Sequence, residues 1–583
     1  MLGIGGWDWA ALLIYLVGIT GVGIWTARRV KDTADFFIGG RKFGKPFMIF
    51  FAFGAGTSGN DAVGVSTKTY TNGVSGIWYQ WLWLFATPFY WLIAPVFRRM
   101  RALTTGDYFE HRYDQSVASL YTVVGISQLT VGIGMLLLGA GETIEAISDG
   151  AITSNYAIIT MTVLFVTYGI AGGLAAAIVT DFIQGILTVI LSFIILPFAW
   201  NAVGGMTGLR AGIPEALAGQ DQAHIDSMLS LATPGEINLF HIIMLATSAL
   251  IGIVTQPHIM GVCAGGRNEM DGRVGFAAGN LLKRVCTIAW MLTGLCAVVY
   301  FAQEGKFDLR GQIDENPNLV YGLMARDLLP QVLPGLVGLF LAALLASIMS
   351  SCDAFMVSSS GLFTENVYRR YWGKGKPEKH FVFVGRVASF VIVSGSLAFA
   401  FSFEKIPDAL EVFFKLQAMM GAAFWLGLFW RRTTVAGAWA GTLAALLVWF
   451  VTGRVFFHEF AVESLPAFMV WDEKFRVSWQ IFSFLTVGFA SCIIVSLFTK
   501  RVPQAKLDRV YECLRTPIQE DEPHLAPFTL PEGVAPPEPR KLINHPDLEI
   551  PMPTAVGMGG FLFFWAMVGV MIWSVFFIVG MGQ

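Results

Sequence analysis

Apolar runs of about twenty residues recur along most of this chain, and that recurrence limits the fold more than any single motif does. Each run is long enough to cross a hydrocarbon core about 30 Å thick. In lipid the backbone must satisfy its own hydrogen bonds, so runs of this length can span only as helices. Fourteen are read, at 7–27, 45–70, 76–97, 116–142, 154–173, 176–203, 239–264, 278–302, 334–367, 381–403, 408–430, 433–453, 479–499 and 556–580. Charged residues make up 14% of the chain, against about 25% in soluble domains. The expected class is an all-α polytopic membrane protein, with no room for a soluble catalytic domain.

Charge alternates between successive loops. Arg28, Arg29, Lys31, Arg41, Lys42 and Lys45 follow the first run, and Arg98, Arg99, Arg101 and Arg112 follow the third. Further basic clusters lie at 267–284, 369–379, 431–432 and 500–509. The positive-inside rule makes these loops cytoplasmic and puts both termini outside the plasma membrane. Outer loops are expected at 204–238 and 303–333, the second with a short helix around 319–329. The stretch 501–555 is polar, proline-rich and charged in both signs. It reads as a cytoplasmic linker with little packed structure, followed by an appended terminal helix in 556–583. No basic n-region precedes Trp7, so the first run is read as a retained span. A net charge of −2 gives nucleic acid no footing. Six cysteines without CxxC spacing indicate neither a disulfide framework nor a zinc site.

Two runs are interrupted. Gly54-Ala-Gly-Thr-Ser-Gly-Asn-Asp61 breaks the second with glycines and polar side chains, which weaken a continuous helix. Gly252-Ile-Val-Thr-Gln-Pro-His258 breaks the seventh. Broken spans in corresponding positions suggest inverted repeats with a binding site between them, because freed carbonyls at membrane depth line cavities and hold ions. In the ninth run Ser347, Ser350 and Ser351 stand at i, i+3 and i+4, so their hydroxyls share one helix face. Clustered oxygens suit a small hard cation, whereas small residues alone also serve close helix packing. Asp353, two residues on, favours the cation, since an acid inside a membrane is expensive and usually functional.

Four motifs in order resemble the sodium/solute symporter family, whose members include sodium-coupled sugar, proline, pantothenate, sialic acid and choline transporters. They are Asp35-Phe-Phe-Ile-Gly-Gly-Arg41, Gly172-Gly-Leu-Ala-Ala-Ala-Ile-Val-Thr-Asp181-Phe-Ile-Gln184, Thr255-Gln-Pro-His-Ile259, and the long stretch from Met349 to Tyr368. The similarity extends over about 7–500. It implies a LeuT-type five-plus-five inverted repeat, with repeats in 45–203 and 239–432, one helix and its loop before them (1–44) and two helices after (433–500). It also implies Na+ as coupling ion, held by the carbonyls of Gly54 and Thr57 and by Ser347, Ser350 and Ser351. A second cation would lie near Asp181, with Asp353 replacing a serine. Two close acids there would favour one protonated carboxyl, so a proton site is an alternative; Asp181 could instead stabilise a helix junction.

The resemblance places substrate contacts on Asp61, Gln80 and Ser248. Asn60 either touches solute or caps the second half-helix. A carboxylate at Asp61 would favour an amine or zwitterion, while Gln80 and its tryptophans also suit an interfacial aromatic belt. The aromatic gate of sugar members is Ile251 here, which argues against a pyranose stacked on a ring. In the eleventh run Lys415 and Gln417 could meet the solute, though Lys415 also has Glu411 at i−4. His258 reads as part of the Gln-Pro-His turn. The chain is therefore read as a symporter importing a small polar organic solute, an amino acid or amine/zwitterion favoured, with a monomeric transport unit in the bilayer. The alternatives are proton coupling and a non-transporting sensor of the same fold. An intramembrane enzyme would need a nucleophile–base pair or metal cluster, for which the sequence offers no spacing.

Overall fold

The computed structural model describes residues 5–581, except 29–30, 234–236, 403–415, 417, 454–464, 472–473, 520–521 and 524. Its spanning elements are all helical. Among the described residues nine helices are long and apolar enough to cross a membrane, ten if a bent pair is counted as one span. The elements that position the site are α1 (Gly6–Ala27), α2 (Lys45–Ala55), α3 (Gly59–Asn72), α4 (Trp78–Trp81), α5 (Thr87–Arg99), α6 (Gln115–Ile147) and α7 (Ser154–Ile194). They continue with α8 (Leu239–Ile253), α9 (His258–Ala264), α10 (Glu269–Tyr300), α11 (Leu336–Gly361), α12 (Glu378–Ala400) and α13 (Gly421–Phe429). Four more follow toward the C-terminus: α14 (Val435–Thr452), α15 (Val477–Phe498), α16 (Gln504–Arg515) and α17 (Ala555–Gly580).

Both interruptions read from sequence are real breaks. The second run divides into α2 and α3, with Gly56, Thr57 and Ser58 between them. The seventh divides into α8 and α9, bent by 71° at Val254–Pro257. The fifth and sixth runs meet inside α7 at Gly173, whose φ of 55° leaves the helical region. A side chain at Gly173 would also strike the Phe36 carbonyl at 2.5 Å, so glycine is required twice over. The serine helix α11 is the axis of the molecule: its apolar window is 89% buried, against 22% for α17, which offers most of its surface to lipid. In the loop 303–333 the expected short helix lies at Val320–Leu328.

Small residues set one approach that matters for the site. Gly275 and Gly279 bring α10 so close to α2 that added methyl groups would lie 2.6 Å from Met48 Cβ and 2.5 Å from the Ile49 carbonyl. Contact of this kind holds helices together where no hydrophobic effect acts between them. One turn further along the same face is Lys283.

Two expectations need correction. The basic cluster read at 267–284 as a cytoplasmic loop is mostly helix: the span expected at 278–302 begins already at Glu269, and its Lys283 and Arg284 are buried. The stretch 501–555 is not loosely structured. It contains α16, pairs backbone-to-backbone at Trp430 with Leu548, and buries Phe528, whose N–H donates to the Met100 carbonyl. Its Glu522 forms an ion pair with Arg101, with both side chains almost fully buried (2% and 0% exposed). Arg431 binds Asp508 and Glu549, and Lys506 donates to the Tyr113 carbonyl at 2.7 Å. The composition matched a linker; the contacts form a strap across the ends of α5 and α13 and the loop before α6.

Candidate ion and solute site

The break between α2 and α3 faces the serines of α11. Ser351 Oγ donates to the carbonyl of Gly54 at 2.9 Å and lies 3.3 Å from that of Thr57. Ser347 Oγ donates to Leu344 within its own helix and lies against Gly59, where an added Cβ would come 3.0 Å from it. Ser350 Oγ and the Asp181 carboxylate both press on Gly54; a Cβ there would be 2.4 Å from Ser350 Oγ and 3.4 Å from Asp181 Cγ. Ser350 Oγ and the Asp181 carboxylate face each other, and neither makes a well-formed hydrogen bond to any other group, although all are fully buried. Orphaned buried oxygens are costly, and a small cation satisfies them without needing a donor. The donor set fits sodium.

Asp353, also fully buried, lies one face further round α11 against Gly169, where a Cβ would be 2.5 Å from Oδ1. Asp181 feels its charge, and Tyr15 of α1 feels both acids. Gln184 Nε2 donates to Tyr15 Oη at 3.1 Å. The structure thus brings Gly54, Thr57, Ser347, Ser350, Ser351 and Asp181 to one place, with Asp353 adjacent.

A cavity opens beside this cluster. It is lined by Gly56, Asp61, Gln80, Trp83, His258, Lys283, Arg284 and Phe355, among others. Asp61 is near the start of α3, where its Oδ2 accepts from the Ser58 N–H at 2.9 Å, satisfying an exposed helix donor. Gln80 Nε2 donates to Oδ1 at 2.5 Å, and Lys283 Nζ donates to Oδ2 at 2.8 Å. Lys283 also donates to the freed carbonyl of Gly56. Arg284 donates to the Gln80 carbonyl at 3.1 Å while Trp81 Nε1 returns a bond to the Arg284 carbonyl at 3.1 Å. These crossed bonds pin α4 to α10.

A sequence model of the sodium:solute symporter family matches residues 36–445. The chain belongs to the sodium:solute symporter family. Its similar proteins include a sodium/glucose cotransporter of Vibrio parahaemolyticus, 26% identical over 460 residues, covering 75% of this chain and 83% of the relative. The osmoregulated proline transporter of Bacillus subtilis is 26% identical over 517 residues, covering 85% of this chain and 95% of the relative. A solved structure of a Na+-coupled sialic acid symporter, in a substrate-bound outward-open state, superposes with a TM-score of 0.70 at 18% identity. It covers 86% of this chain and 99% of that one. The fold is therefore a symporter fold, the protein is integral to the membrane, and sodium is the coupling ion of the family to which it belongs.

In this symporter not every residue expected to meet solute lines the cavity. Asp61 and Gln80 line the cavity, but Asp61 does not present a bare carboxylate to an amine, because Lys283 and Gln80 already hold it. Asn60 turns away: its Nδ2 donates to the Met135 and Leu136 carbonyls at 3.2 and 3.0 Å, tying α3 to α6. Nor does Asn60 cap α3, a place taken by Ser58 with Asp61. Ser248 is buried on α8 but is not in the lining, to which that span contributes Ile253, Gln256 within the bend and, past it, His258, Ile259 and Val262. His258, read as a turn residue, is a wall of the cavity with its ring 4.9 Å from Phe355. Lys415 and Gln417 lie outside the described residues. The residues missed by sequence were Lys283 and Arg284. A Lys-Arg pair at the edge of an apolar run looks like a cytoplasmic flank under the positive-inside rule; its signal was the helix that starts fourteen residues before Lys283, at Glu269.

Proposed function

We propose that this protein is a sodium-coupled secondary symporter that imports a small polar organic solute by alternating access. The observation that carries the reading is the meeting of two break carbonyls, that of Gly54 (which also accepts the Thr57 N–H at 3.3 Å) and that of Thr57, with three hydroxyls and a buried acid. Sodium is placed among Gly54, Thr57, Ser347, Ser350 and Ser351, and the solute in the adjacent cavity between α3, α4, α9 and α10. One element, the break, borders both sites. Sodium bound there orders Gly56 and Ser58, which line the solute cavity, so each ligand raises the affinity of the other. The two broken spans support the five-plus-five repeat with rocking of one bundle against the other. The basic loops support both termini outside. Asp181 and Asp353 support a second cation or a proton beside the first.

An amino acid or related zwitterion remains within this reading, but the expected reason for it has changed. The amine loses its free acceptor at Asp61, whereas a carboxylate finds Lys283 and Arg284. The reading is tested with purified protein in liposomes: solute uptake must follow an imposed inward sodium gradient and stop when potassium replaces sodium. Uptake of equal rate in both would refute sodium coupling.

A further inference from the structure

We propose that the solute is an organic anion and that its carboxylate is read by Arg284. The inference rests on the symporter reading above and names the substrate class of the same cavity. Among the described residues three ionic side chains line it, Asp61, Lys283 and Arg284. Asp61 and Lys283 form one ion pair, and the pair is neutral as a unit wherever its proton sits. His258, the other titratable group of the lining with Tyr90, supplies no negative charge.

Arg284 is left over. It is 1% exposed, and its guanidinium stays charged in a protein. Its direct partners are neutral, the Gln80 carbonyl at 3.1 Å and Asn280 Oδ1 at 3.5 Å, with the Tyr90 hydroxyl and the Trp83 ring (5.8 Å from its central carbon) beside it; the one negative charge that reaches it, Asp61, is the one Lys283 already binds. Its Nε has no acceptor. A buried cation without a counter-charge is unfavourable, and the planar fork of an arginine matches a carboxylate better than any neutral group. Among the described residues the cavity therefore carries one positive charge in excess, beside an unsatisfied donor. A monocarboxylate neutralises it. A cationic amine would add to it, and a neutral polyol would leave it standing. An amino acid satisfies Arg284, but its ammonium must compete with Lys283 for Asp61, so it ranks below a simple carboxylate of the same size.

The test is thermal unfolding of the purified full chain in sodium or in potassium, with probes matched in skeleton: propanoate, lactate and pyruvate against propanamide, lactamide and propylamine, together with alanine, alaninamide, glucose and choline. The expected result is a sodium-dependent rise in melting temperature with carboxylates and none with amides, amines or glucose. Arg284→Gln should weaken the carboxylate response roughly tenfold to a hundredfold in concentration. Arg284→Lys should restore part of it, and the Asp61→Asn/Lys283→Gln double variant, which keeps the net charge, should still prefer carboxylate to amide. A sodium-dependent response to glucose or an amine with none to any carboxylate would overturn the inference and leave the symporter standing. So would a panel without a carboxylate response, or an Arg284→Gln protein that responds as the parent does. Failure of sodium itself to shift the melt relative to potassium would instead strike the symporter reading.

Discussion

Replacing Gly54 by alanine separates the ion site from the stability of the fold. The added methyl would sit 2.4 Å from Ser350 Oγ and 3.4 Å from Asp181 Cγ, so the serine hydroxyl must swing off its present position. That rotation costs about 0.5–1.5 kcal/mol, and alanine returns up to ~1 kcal/mol of helix propensity to α2. The two nearly offset, and the melt in potassium should move little. Sodium binding should suffer more, because the methyl takes ion space and Ser350 no longer points into it. Losing one polar contact to a charged group costs about 1.5–3 kcal/mol, or roughly 10- to 150-fold in affinity. At a sodium concentration one hundred times the parent Kd, the ion stabilises the native state by about 2.7 kcal/mol. The variant would retain between about 0.3 and 1.4 kcal/mol of that. The assay is the difference in melting temperature between sodium and potassium for the two proteins. A Gly54→Ala protein with the full sodium response would refute the placement of the ion at this break.

Four further outcomes are expected. Lys283→Met strands the half-buried Asp61 carboxylate and should lower unfolding stability by up to about 3 kcal/mol, with Asp61→Asn on the same chain recovering most of it; equal losses in single and double variants would show that the pair does not couple. Glu522→Gln leaves Arg101 buried without its counter-charge and should expose the strap at 501–553 to trypsin while the spanning helices resist, so an unchanged digestion pattern argues against the strap. His111 packs at a tilt against Phe528 of that strap, ring centroids 5.1 Å apart, and burial pushes its pKa below the ordinary 6.5. The folded state thus favours the neutral ring, so stability is present above pH 6.5 and is lost as pH falls through it; cleavage of the strap should rise toward pH 5 in the parent and not in His111→Asn. Asp353→Asn should change the number of cations moved per solute, read from the reversal potential in liposomes, and an unchanged stoichiometry would remove Asp353 from the ion pathway.

The two helix breaks were legible because glycine, proline and clustered polar residues inside apolar runs have no other economical use at membrane depth. The serine face was legible because hydroxyls at i, i+3 and i+4 must share one side of a helix, whatever that helix packs against. The lining of the cavity was less legible. Asn60 and Asp61 are neighbours on α3, so they point in directions about 100° apart, and only the positions of α6 and α10 decide which of them faces the cavity. The strap was misread for a related reason: its prolines and mixed charges describe a chain that forms no core of its own, and its partners, Arg101, Met100 and Arg431, belong to other spans.

What the sequence determined by itself is the membrane class, the order of spans, the positions of the breaks and the hydroxyl-bearing face, all of which follow from hydropathy and from periodicity along one chain. What only the tertiary structure decided is the charge of the solute cavity. Asp61 taken alone attracts a cation; with Lys283 bound to it and Arg284 beside it, the same cavity attracts an anion. That reversal comes from residues more than two hundred positions away in the chain, brought in by the glycine contact between α2 and α10, and electrostatic energy depends on distance through space, which no local pattern records.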